Sequence, residues 1–183
     1  MADYRDTVDY ILGIPLFAQK IGKENLSSLL CRLGNPEKAI PAVHVAGTNG
    51  KGSTCKALAQ MLTDMGYRVG LFISPHLVSI NERIQIDGKN ISDDDFVWAF
   101  ETVREQFTQH PSFFEVMFAM AAVYFREKNC DYVVYETGMG GRLDATNVLL
   151  PELTIITSVG MDHMEYLGDT IETVSYTHLR AHE

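Results

Sequence analysis

Residues 44–54 read HVAGTNGKGST and join an apolar run, Pro41–Ala46, to the helix-like stretch CKALAQMLTDMGY. Few backbone arrangements accept such a junction. The apolar lead-in predicts a buried strand. Residues 51–65 predict a helix with Ala57, Leu58, Met61 and Leu62 on one face, closed by Gly66. Between them, Gly47, Gly50 and Gly52 allow positive φ, so successive backbone N–H groups can turn inward onto an anion. The first turn of the helix adds partial positive charge. Lys51 can bring a full charge to the outer phosphates, and Ser53 or Thr54 can offer a hydroxyl to magnesium. The spacing is not the strict G-x-x-x-x-G-K-[ST] pattern, because Gly47 falls late and Gly52 intervenes before Ser53. The bland alternative is an ordinary strand-to-helix turn with a solvated lysine. Three glycines, a lysine and a hydroxyl pair together favour a phosphate cradle made by Thr48, Asn49, Gly50, Lys51, Gly52 and Ser53.

Around this bend the pattern alternates between strands and helices. Residues 4–33 read as two helices stopped by Gly34 and Pro36. RVGLFIS is a strand, and ERIQIDGKNI is a small hairpin about Asp87-Gly88. Ser92 caps a helix to about Phe107, with Asp95 at the reciprocal position. A further helix spans about Phe114 to Lys128. YVVYETG and LTIITSVG then read as strands covered on both faces. Strands alternating with helices imply an α/β fold with a mostly parallel, doubly wound sheet.

The chain has 183 residues, 46% of them apolar, enough for one domain with a real core. A formal net charge of -9 argues against general binding to nucleic acid or a membrane surface. A local cation such as Lys51 can still serve a small anion. No apolar run is long enough to cross a bilayer, and the acidic N-terminus is unlike a signal peptide. Cys31, Cys55 and Cys130 lack metal-ligand spacing and read as reduced thiols of a cytoplasmic protein.

GTNGKGST is followed in order by SPHL at 74–77, NERI at 81–84, ETGMGGRLDATN at 136–147 and TSVGMDHMEYLGDTIE at 157–172. This set resembles the folylpolyglutamate synthase and dihydrofolate synthase family, within the wider Mur-type ligases, over residues 1 to about 174. The resemblance implies a P-loop-containing Mur ligase central domain. It also implies an ATP-dependent joining of L-glutamate to folate, and possible action on dihydropteroate, through an acyl phosphate. Mg2+ would be held by Ser74, Glu136 and His163. From the residues alone, Glu136 ends an apolar strand, where a carboxylate points into the ligand crevice, or is a solvated strand-end charge. Ser74 before Pro75 is equally a turn residue. Histidine is an unusual magnesium ligand, so His163 rests on the resemblance; Asp162 can orient it or cap a turn. The resemblance further implies that Ser112, Phe113, Phe114 and Glu115, with Leu143, Asp144 and Ala145, bind the pterin substrate, near Arg142. By pattern alone the two phenylalanines read as core. His44, His76, Phe96, Trp98 and Phe100 read as packing or hydrogen bonding, and SDDD as a solvated helix start.

After LGDTIE the family continues as a helix carrying a carbamylated lysine, whereas this chain reads TVSYTHLRAHE. No lysine follows Lys128. The expectation is that residues 1–174 are the N-terminal part of the ligase domain, that 175–183 are a foreign join, and that the C-terminal domain is missing. The chain alone should then be poorly soluble and inactive, with an exposed sheet edge. The full-length protein is expected to be a monomer in the cytoplasm. The rival readings are a ligase of cell-wall precursors, against which SPHL and RLDATN argue, and a non-catalytic nucleotide-binding fragment.

Overall fold

The computed structural model describes residues 3–15, 23–138 and 144–160. Its helices are α1 (Tyr4–Leu12), α2 (Lys23–Arg32), α3 (Lys51–Asp64), α4 (Asp93–Arg104) and α5 (Phe113–Glu127). Its strands are β1 (Ala42–Ala46), β2 (Val69–Phe72), β3 (Ile84–Ile86), β4 (Lys89–Asn90), β5 (Tyr132–Glu136) and β6 (Leu153–Ile156). The sheet order is β4-β3-β2-β5-β1-β6. Pairs β2–β5, β5–β1 and β1–β6 are parallel, and only the β3–β4 hairpin runs antiparallel to its neighbours. The hairpin turns at Asp87 and Gly88, both at positive φ (50° and 72°), as a two-residue turn requires.

Alternation along each strand sorts side chains into two layers. Val43, Val45, Val69, Leu71, Ile73 and Val134 face α3, where Cys55 and Ala59 meet them. Ala42, Phe72, Val133 and Tyr135 face the other way, onto α5. From Phe113 to Phe125 only Phe114 escapes full burial. A helix apolar all round must be covered all round, and α5 lies between the sheet and α1 and α4. Gly70 permits this approach, since a Cβ there would stand 2.7 Å from the Phe125 ring. The result is the mostly parallel, doubly wound sheet that the alternation predicts.

Five local expectations change. The buried face of α3 is Cys55 and Ala59, flanked by Leu58 and Leu62, and Met61 is 62% exposed. Helix phase is set by how the glycine bend delivers the chain onto the sheet, which composition does not reveal. Trp98 lies on the outer side of α4, while Phe96 and Phe100 are core. Ser92 does cap α4, but Asp95 does not return the bond; its carboxylate reaches Lys128 at 2.9 Å. SDDD is thus only partly solvated, for Asp93 also accepts from Asn81 at 3.0 Å. β6 is only part-buried, with Leu153 half exposed, because among the described residues it borders β1 alone.

Candidate active site

The glycine bend leaves the C-terminal end of β1 and is braced from the end of β6. Thr48 N–H donates to Ser158 O at 2.7 Å, and Asn49 N–H to Ser158 Oγ at 3.1 Å. Thr48 Oγ1 donates to Gly160 O and accepts from Gly160 N–H at 3.1 and 2.9 Å. Thr157 Oγ1 donates to Asn49 O at 2.7 Å. This bracing explains Gly47. Its φ is 134°, and a Cβ there would lie 2.2 Å from Thr157 Oγ1. Gly50, the N-cap of α3, has φ 81° and open space beside it, so its role is conformational. The Lys51 ammonium curls back over the bend, donating to Gly47 O and Thr48 O at 2.8 and 3.2 Å. A cation, the first turn of a 14-residue helix and a glycine backbone thus share one end of the sheet.

Glu136 ends β5, the strand beside β1, and lies under the same helix. Its two carboxylate oxygens would be 3.5 and 3.6 Å from a Cβ at Gly52, ordinary contact distances that put the strand end directly against the start of the helix. Glu136 Oε2 accepts from Ser74 N–H at 2.9 Å, which joins the loop after β2 to the site. Burial pushes the Glu136 carboxyl above the usual carboxylate range, and the charge of Asp144 adds to this. The Ser74 amide and the charges of Lys51 and Arg83 oppose it. The same surroundings raise the buried Cys55 thiol, chiefly by burial and then by Glu136. Such a thiol is inert.

Arg83 is buried and enters from the short 3-10 turn Ile80–Arg83. Its guanidinium lies 5.0 Å over the Phe113 ring, and its Nε donates to His76 Nδ1 at 2.8 Å. Burial and the Arg83 charge hold the His76 imidazole below its ordinary pKa, with Glu82 opposing. Glu82 accepts from the N–H groups of Leu77, Val78 and Ser79 at 2.8, 2.9 and 2.8 Å, which shapes the SPHL loop.

The start of α5 closes on itself. Ser112 Oγ accepts from Glu115 N–H at 3.4 Å, and Glu115 Oε2 accepts from Ser112 N–H and Oγ–H at 2.7 and 2.9 Å. This is a full capping box, and both residues are buried. Phe114 packs edge-on against Phe72, with ring centroids 5.5 Å apart. Its ring edge and Asp144 Oδ2 both lie beside Gly138, where a Cβ would meet them at 2.7 and 3.1 Å. Asp144 caps a 3-10 turn, Ala145–Val148, and Ala145 packs against the core.

A family model, the Mur ligase middle domain, matches residues 45–180. The chain belongs to this family. Among curated relatives, the Mur ligase chain is 46% identical over 180 residues to a dihydrofolate synthase/folylpolyglutamate synthase of Bacillus subtilis, covering 94% of this chain and 42% of that protein. It is 38% identical over 181 residues to the folylpolyglutamate synthase of Lacticaseibacillus casei, with the same coverage. Among solved structures, an FPGS–AMPPCP–folate complex superposes with a TM-score of 0.94 at 37% identity, covering 98% of this chain and 46% of that one. Escherichia coli FolC in complex with DHPP and ADP superposes at 0.92 and 31% identity, covering 98% and 44%. The chain therefore spans less than half the length of these relatives.

The fold of this Mur ligase chain gathers Thr48–Ser53, Ser74 and Glu136 at one end of the sheet, with Phe113, Phe114, Asp144 and Ala145 near it. Leu143, Arg142, Asp162, His163 and the tail 175–183 lie outside the described residues. Among the described residues, no three His, Cys, Asp or Glu residues form a group that could hold a metal ion. The sequence pattern of NERI gives Asn81, Glu82 and Arg83 no role; a charged residue directly before a β-branched strand is the only local signal there. Thr157 and Ser158 carry no local signal, and their importance appears only once β6 lies beside β1.

Proposed function

We propose that the full-length protein containing this chain is an ATP-dependent ligase that adds L-glutamate to folate, and in the same manner to dihydropteroate. The observation that carries this reading is the meeting of the Lys51 loop and the buried Glu136 carboxylate across Gly52, on a chain similar to enzymes named for that activity. ATP enters with its phosphates on the backbone of 48–53, and Lys51 releases its own loop carbonyls to receive them. A substrate carboxylate oxygen then bonds to the γ-phosphorus as the bond from that phosphorus to the leaving ADP oxygen breaks. The glutamate amine attacks the acyl carbon, phosphate leaves, and one proton is released. Both steps involve anions, so preorganised positive charge lowers the barrier.

A magnesium ion fits the residues present. Glu136 carries a carboxylate whose ionised form is held at a cost by burial, and Ser74, whose N–H donates to it at 2.9 Å, bears a hydroxyl; carboxylate and hydroxyl are the hard oxygen donors this cation takes. Ser74, Glu136 and His163 would hold it, and it would supply charge neutralisation between the phosphates. Phe114, Asp144 and Ala145, with Ser112, Phe113 and Glu115, would receive the pterin, and Leu143 would join them in binding it. The Ser112–Glu115 box sets the direction of the α5 start in that arrangement.

No helix among the described residues is long and apolar enough to cross a membrane. The reading includes a monomer acting in the cytoplasm. It takes residues 1–174 as the first part of the ligase domain and 175–183 as foreign; gene sequence past codon 174 that encodes SYTHLRAHE in independent isolates defeats the latter.

The decisive assay measures ADP release by the full-length protein with folate and glutamate present or withheld. ADP release dependent on both is expected. ATP binding without that release returns the non-catalytic reading, and release dependent on a nucleotide-linked peptide acceptor returns the cell-wall reading.

A further inference from the structure

His44 is fully buried in the middle of β1, and no step of the phosphate chemistry uses it. A polar ring in such a place must be hydrogen-bonded to be tolerated. Its Nε2 lies 2.7 Å from Thr146 Oγ1, across 102 residues of sequence. Thr146 Oγ1 in turn donates to Asp144 Oδ1, and Thr146 N–H donates to the same oxygen at 3.0 Å. A hydroxyl carries one proton. With that proton on Asp144, Thr146 Oγ1 accepts from His44, so Nε2 bears the hydrogen. The direction of the chain is therefore set: imidazole N–H to hydroxyl, hydroxyl to carboxylate. The second carboxylate oxygen, Oδ2, is then turned toward Gly138 and the rim of Phe114.

We infer that His44 is a positioning residue which, through Thr146, locks Asp144 so that Oδ2 stands beside the Phe114 ring. In that place the oxygen accepts N–H bonds from a flat heteroaromatic substrate lying against the ring. The inference rests on the folate-ligase reading above. The physical logic is one of supports. β1 is a central strand with hydrogen-bonded neighbours on both sides, so His44 cannot drift. The 3-10 turn carrying Asp144 is short, and an unsupported threonine hydroxyl has three staggered positions, only one of which serves the carboxylate. The imidazole removes that freedom from within the core.

The test titrates the full-length protein with folate, and separately with ADP, by calorimetry. Thr146→Val keeps shape and removes the hydroxyl; His44→Leu removes the donor; His44→Gln places an amide N–H near the position of Nε2. Thr146→Val and His44→Leu should each weaken folate about tenfold and leave ADP within about twofold, and His44→Gln should recover folate binding to within about threefold. The double variant should be no weaker than the worse single one, because links of one chain are not additive. If His44→Leu fails to fold, Thr146→Val carries the same comparison. Unchanged folate affinity in Thr146→Val, or folate and ADP affinities falling together, overturns the positioning role while leaving the ligase reading intact. Wild-type protein that binds ADP but no folate overturns both.

Discussion

Residues 47–52 follow the end of β1 and residues 144–148 reach its middle at His44, yet the two are built from different material. The first is main chain: glycine conformations, the first turn of a helix and one ammonium, with its form imposed by Thr157–Gly160 after the next strand. The second is side chain: a carboxylate, a hydroxyl and a buried imidazole linked in series. A backbone site suits phosphate, which every nucleotide presents alike, and tolerates change in most of its side chains. A side-chain site suits a ligand with a particular hydrogen-bond pattern and fails when one atom is removed. The glycine bend and the Asp144 turn should therefore respond differently to substitution.

The sharpest separation comes from Lys51→Ala in the full-length protein. Turnover should fall about a thousandfold, the upper end for losing one preorganised charge at a transferring phosphoryl group, with little change in melting temperature. Wild-type ADP release from that variant would break the phosphate reading. Gly47→Ala should act on the fold itself. It sets a Cβ 2.2 Å from Thr157 Oγ1 at a φ of 134°, and urea unfolding should show a loss of about 3 kcal/mol. Gly138→Ala probes the other region, since its Cβ meets the Phe114 ring at 2.7 Å. Overpacking of this kind costs about 1–2 kcal/mol, and folate affinity should drop while ADP affinity holds. Ser112→Ala removes a cap and leaves Glu115 short of a donor, for about 1 kcal/mol by denaturant unfolding. The smallest effect should be local. Glu82→Gln should speed hydrogen exchange at Leu77, Val78 and Ser79 without shifting the global transition. These three amides hold the Glu82 carboxyl below the usual carboxylate range. Its grip should accordingly persist through that range as pH falls and be lost only below it.

Much of the fold was legible because its signals are local. Glycine at 47 and 50, the Asp87-Gly88 turn and the Ser92 cap each act within a few residues, and each stands where pattern places it. Gly52 does not take the positive φ expected of it, because the helix has already begun at Lys51. The phase of α3 was not legible. Ala57 and Met61 match a helical stripe as well as Cys55 and Ala59 do, and only the docked position of the helix separates them. Ser112 and Glu115 show a mixed case. The S-x-x-E spacing of a capping box was present in the sequence, but the resemblance drew attention to substrate binding and away from the cap.

By itself the sequence determined the alternation of strands and helices, the glycine bend and the lysine that rides on it, because periodicity and permitted φ are properties of short segments. Only the tertiary structure decided that β5 and β6 flank β1, that Glu136 faces the α3 side under Gly52, and that His44 reaches Asp144 through Thr146. Such relations span long stretches of chain: His44 and Thr146 are 102 positions apart, and Thr48 and Gly160, which brace the bend, are 112 apart. Strand order and helix docking bring them together, and a hydrophobic pattern that suits several strand orders equally carries no record of which one the packed core selects.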